Sequence, residues 1–90
     1  GEGDERSAFF LRARLADESG ALASLSEVLA GAGVSIDKLL QDSADEEGAA
    51  PIAIVTHVCS RNEIDSAVAK LTKLETSVDA PRLIRIETAD

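Results

Sequence analysis

An α+β sandwich, with a four-stranded antiparallel sheet covered on one face by two helices, is the fold class that this 90-residue sequence predicts. Three observations carry that expectation. Four short stretches have the composition and period of strands. Two longer stretches repeat apolar residues at helical spacing along one side only, so each helix has a single face to bury. Their order is strand, helix, strand, strand, helix, strand, and two one-sided helices satisfy it by lying together on one sheet face.

The first strand spans Ala8 to Leu15. Phe9, Leu11, Ala13 and Leu15 point one way, and Phe10, Arg12 and Arg14 the other, the alternation of a half-buried strand. Residues 1–7 are polar and glycine-bearing, a linker composition, so the domain is expected over 8–90. At Asp17-Glu18-Ser19-Gly20-Ala21-Leu22 the extended pattern stops and a helical one begins. A carboxylate, a hydroxyl and a glycine sit there beside the amides that a first helical turn leaves unpaired, an arrangement that attracts small anions, including an amino-acid carboxylate. Leu22, Leu25, Leu29 and Ala32, widened by Val28, form the buried stripe, and Gly31-Ala32-Gly33 ends the helix. Val34-Ser35-Ile36-Asp37 then alternates as a second strand reaching about Gln41; Leu39-Leu40 breaks the alternation, which implies a bulge or contact on both faces.

Asp42 to Ala50 is acidic and aperiodic, a mobile loop whose consecutive Asp45, Glu46 and Glu47 lack the alternating ligand spacing of a calcium site. From Pro51 the run Ile52 to Val58 is strongly β-prone and apolar on both faces until Thr56 and His57, as a central strand is. His57, the one histidine, has no nucleophile or carboxylate that the sequence places beside it and reads as a hydrogen-bonded strand residue. Ser60-Arg61-Asn62-Glu63 fits the capping box, so the second helix starts at Arg61. Ile64, Ala67, Val68, Leu71 and Leu74 face inward, with Arg61, Asp65, Lys70 and Lys73 outside. Glu75 to Ala80 leads to Pro81, and Leu83 to Glu87 forms the last strand. This is the ferredoxin-like βαββαβ plan, which hosts many functions.

Composition removes several of them. A net charge of −8 opposes contact with a phosphate backbone, and only Phe9 and Phe10 are aromatic, so nucleic acid is excluded as a partner. Cys59 has no second cysteine for a disulfide or a metal site, which suits a reducing, cytoplasmic setting. No run is long enough for a membrane span and no secretory signal precedes Phe9. No catalytic constellation, metal site or cofactor motif is found, so the chain is not expected to be an enzyme by itself or to carry a cofactor.

Asp17-Glu18-Ser19-Gly20-Ala21-Leu22 after a strand, with Gly33-Val34-Ser35-Ile36 entering the next, resembles the ACT domain, a small-molecule-sensing regulatory module, over Ala8 to Glu87. The first motif is similar to that family's D-x-P-G-V-L, with Ser19 in place of Pro and Ala21 in place of a bulkier residue. Ile54-Val55-Thr56-His57 and Pro81-Arg82-Leu83-Ile84-Arg85-Ile86-Glu87 look most like the ACT domains at the C-terminus of homoserine dehydrogenases.

The resemblance implies a regulatory domain that pairs into a homodimer or higher homo-oligomer, serves an upstream catalytic domain and binds a free amino acid, threonine by that analogy. Carried over by position, Asp17, Ser19, Gly20, Ala21 and Leu22 line the ligand, joined by Ser35, Ile36, Asp37 and Gln41 of the second strand, from the same or a partner subunit. The amides around Gly20 to Leu22 take the carboxylate, and Asp37 or Asp17 the ammonium group. A purely structural dimerisation domain is the competing expectation, supported by open-face Phe10 and the two-sided apolar third strand.

Overall fold

The computed structural model describes residues 5–16, 20–74 and 82–86. Its elements are β1 (Arg6–Ala16), α1 (Ala21–Gly31), β2 (Ile36–Gln41), β3 (Ala49–Thr56), β4 (Cys59–Ser60), α2 (Arg61–Thr72) and β5 (Arg82–Ile86). All pairings are antiparallel, and β1 lies at the centre, with β3 along one edge, β5 along the other and β2 outside β3. The expected order is therefore present, with one addition. The two-residue β4 continues the line of β3 along β1 after a one-residue slip at His57 and Val58. At that break the Thr56 hydroxyl, buried, accepts the Phe9 amide at 3.0 Å, replacing a ladder bond that the slip removes.

β1 starts two residues earlier than its alternation suggested. Arg6 and Ser7 pair with Ser60 and Cys59, the Ser7 hydroxyl donates to the Ile86 carbonyl at 2.8 Å, and the Glu5 carbonyl accepts the Arg61 amide at 3.0 Å. Arg6 and Ser7, assigned by composition to a linker, thus belong to the sheet, and Glu5 leads into it. Residues 1–4, 75–81 and 87–90, with Pro81 and Glu87 among them, lie outside the described residues.

Both helices cover the face that carries Phe9, Leu11 and Leu15 of β1 and Ile52 and Ile54 of β3, and Leu25 and Leu29 of α1 with Ile64, Ala67 and Leu71 of α2 complete the core. Apart from Phe9 the core is aliphatic, and α1 and α2 approach each other over it. Two caps fix that approach. α1 ends with the Gly33 amide on the Ala30 carbonyl and the Val34 amide on the Leu29 carbonyl, at 3.0 and 2.9 Å, with Gly33 left-handed at φ +83°. This is the Schellman ending. α2 starts with the full capping box: Ser60 Oγ accepts from the Glu63 amide, and Glu63 Oε1 accepts from the Ser60 amide at 2.7 Å. Removing such a hydroxyl costs about 1 kcal/mol.

Two local expectations are revised. The irregularity of β2 falls at Asp37, between Ile36 and Lys38, rather than at Leu39-Leu40. From there the alternation is regular, Leu39 packing on the core and Leu40 standing exposed on the other face. The acidic loop after β2 is also organised. Asp45 Oδ1 accepts the amides of Glu47 and Ala49 at 2.9 and 3.1 Å, and Arg14 donates to its Oδ2 at 2.8 Å. One carboxylate therefore closes the turn, with Gly48 supplying φ +81°.

Candidate functional site: the start of the first helix

α1 begins on Gly20, left-handed at φ +87° and ψ −7°, and among the described residues no side chain caps it. The Gly20 carbonyl takes the Ser24 amide at 2.9 Å, the first intrahelical bond. The amides of Ala21, Leu22 and Ala23 precede that bond and carry the positive end of the helix dipole. Among the described residues no acidic side chain occupies the first turn. A β-carbon at Gly20 meets nothing within 4 Å, so glycine is required by the backbone angle and not by crowding.

Beside this turn is a cavity of about 170 Å³, framed by Leu15 and Ala16 at the end of β1, Gly20 to Ala23, Gln41 at the end of β2, and Ala50 and Ile52 of β3. It exists because small residues meet there. Leu15 pairs with Ala50 and Ala16 with Ala49 across β1 and β3, and Ala21 stands above them in α1. At about 30 Å³ per water in the liquid, the space holds roughly five or six water molecules, and it is well below the roughly 300 Å³ at which drug-sized sites begin. That suits a free amino acid and not a nucleotide. Among the described residues the lining has no titratable side chain, and Gln41 supplies a side-chain amide. Its chemistry is recognition: backbone donors for an anion, an amide that accepts or donates, and aliphatic walls.

Of the residues singled out by sequence, Gly20, Ala21, Leu22 and Gln41 come together here. Asp17 and Ser19 lie outside the described residues. Ser35, Ile36 and Asp37 are not part of this cavity within one chain. β2 begins at the far end of the sheet, and its five steps from Ile36 to Gln41 span roughly 16 Å. Asp37 instead faces His57, Oδ1 to Nε2 at 3.8 Å, with both side chains largely exposed, a pair worth little. The His57 amide donates to the Ser35 carbonyl at 2.9 Å, but the residue falls in the break between β3 and β4 and not within a strand as expected. Leu15, Ala16, Ala23, Ala50 and Ile52 were missed. Their signal was the Ala49-Ala50 pair opening the central strand, which antiparallel pairing sets against the end of β1.

Cys59 is buried, and burial pushes its thiol up. Among the described residues no cluster of three or more histidine, cysteine and carboxylate groups is placed to hold a metal. No helix among them is long and apolar enough to cross a membrane.

Residues 9–76 match the ACT domain family. Homoserine dehydrogenase of Pseudomonas aeruginosa is 36% identical over 83 residues, a match covering 90% of this chain and 19% of that protein. The crystal structure of a homoserine dehydrogenase from Thiobacillus denitrificans superposes with a TM-score of 0.83 at 30% identity, over 96% of this chain and 19% of that one. The ACT domain from GTP pyrophosphokinase of Chlorobium tepidum shares the fold, with a TM-score of 0.68 at 13% identity over 91% of this chain and all of that one. The chain spans about a fifth of the length of the curated relatives it matches.

Proposed function

The chain belongs to the ACT domain family, and on that premise we propose that it is the amino-acid-sensing regulatory domain of a homoserine dehydrogenase, with threonine as effector. The observation that carries this reading is the cavity at the start of α1, sized for an amino acid and bordered by the uncapped turn Gly20 to Ala23. The effector carboxylate accepts the first-turn amides, where the helix dipole favours an anion. Its ammonium group donates to the Gln41 carbonyl and to Asp17, and its side chain rests on Ala21, Ala50 and Ile52. Ser35, Ile36 and Asp37 contribute only from a second subunit of a homo-oligomer. The catalytic, NAD(P)-dependent chemistry belongs to the remainder of the parent chain, and this domain biases it by binding threonine more tightly in one of two states, a coupling of about 1–3 kcal/mol.

Calorimetry on the chain with threonine, isoleucine, methionine and serine tests the proposal. Saturable heat with threonine, stronger than with the other three, is expected; no heat with any of them at millimolar concentration contradicts sensing by this domain. A structural dimerisation domain is the second reading, favoured by the outer edge of β2, which pairs with no strand among the described residues. The same calorimetry, paired with sedimentation, separates the two, since a purely structural domain dimerises yet gives no heat with any of the four amino acids.

A further inference from the structure

Among the described residues no element covers the sheet face turned away from the helices, and its composition runs against that of the chain. Lys38, Val55, Phe10 and Ile84 form one row across β2, β3, β1 and β5, and Leu40, Ala53, Arg12 and Arg82 form the next. Leu40 and Ile84 are 74% and 58% exposed. Because Ala53 is small, a groove of about 360 Å³ opens over it, walled by Phe10, Lys38, Leu40 and Val55. The charged side chains of these two rows are all basic, although the chain carries a net −8. On the same face Arg14 is engaged by Asp45 and Glu47. Arg12 and Arg82 stand directly opposite each other on neighbouring strands, and among the described residues neither has an ion pair or hydrogen bond. A like-charge pair in that position destabilises a sheet, and nothing in the described fold offsets it.

We propose that this face docks an acidic amphipathic helix, which seats an apolar ridge in the groove over Ala53 and bridges Arg12 and Arg82 with carboxylates. A sheet with an apolar face is completed by a further layer, and a helix fills a groove with side chains spaced three and four residues apart. The charges select the partner. A second copy presenting the same face would set basic residues against basic ones, whereas carboxylates relieve the Arg12–Arg82 repulsion. The groove and the effector cavity lie on opposite faces of the sheet, so the two proposals stand or fall separately.

The probe is a helical peptide of leucine and glutamate, amphipathic by design, titrated into the isotope-labelled chain at low salt, with its leucine–lysine counterpart as control. Saturable amide shifts confined to the two rows, seen with the glutamate peptide alone, are expected. Arg82→Glu should weaken that binding about tenfold while raising the melting temperature by a few degrees, because it turns a repulsive cross-strand pair into an attractive one. No saturation at millimolar peptide, equal binding of the lysine peptide, or unchanged affinity in Arg82→Glu overturns the proposal. So does a dimer of the chain that Leu40→Asp dissociates, since that outcome assigns the face to a second copy.

Discussion

Gly20 is where backbone geometry meets the proposed recognition. Its φ of +87° turns the chain from β1 into α1 and leaves the next three amides facing outward. Gly20→Ala finds open space for its methyl group, so its cost is conformational, about 1–2 kcal/mol. Urea denaturation should show a lower midpoint at unchanged slope, and threonine should bind more weakly because the first turn shifts. Among the described residues two carboxylates are held more acidic than usual and so contribute to the acid sensitivity of the fold. The Ala49 amide and the Arg14 guanidinium hold Asp45 below the ordinary carboxylate range, and the Ser60 amide and hydroxyl do the same for Glu63. A carboxyl that is more acidic folded than unfolded contributes stability above its unfolded pKa and loses it as pH falls through the folded one. Denaturant midpoints should therefore be level above about pH 5 and fall below about pH 4. Asp45→Asn should flatten part of that fall, and a profile identical to that of the parent chain would contradict the assignment.

At the scale of elements, the two helices are locked where the end of α1 meets the start of α2. A β-carbon on Gly33 would lie 2.6 Å from Glu63 Oε2, the carboxylate that closes the capping box with its other oxygen. Gly33→Ala is thus expected to combine a left-handed backbone cost of about 1–2 kcal/mol with displacement of the Glu63 side chain. Thermal melts should show it more destabilised than Gly31→Ala, where the added methyl meets nothing and no positive φ is needed. Equal melting temperatures would contradict the lock. These caps were legible in the sequence because they are local: Ser60 and Glu63 are three residues apart, and Gly33 ends its own helix. The ion pair of Arg14 with Asp45 was not, since Arg14 comes to it only when β1 and β3 pair. The two-residue β4 had no periodicity to announce it.

For the whole molecule, the same division holds at the candidate site. Gly20, Ala21 and Leu22 were readable as a helix start and Gln41 as the end of a strand, and the fold brings all four to one cavity. Ser35 to Asp37 fall at the opposite end for a geometric reason. α1 is 11 residues long, which carries the chain roughly 16 Å from the cavity before β2 turns back toward it. The cavity itself is a property of long-range register, the meeting of Leu15 with Ala50 and of Gln41 with Ile52, so no local window contains it.

The central claim is that the uncapped turn of α1 holds the carboxylate of an amino acid. Amide spectra of the labelled chain, titrated with threonine and in parallel with threonine methyl ester, test it directly. Threonine should move the Gly20, Ala21, Leu22 and Ala23 amides saturably, while the ester, which has no carboxylate, leaves them in place. Shifts that saturate equally with both ligands, or an α1 start that stays still at millimolar threonine, would contradict the claim.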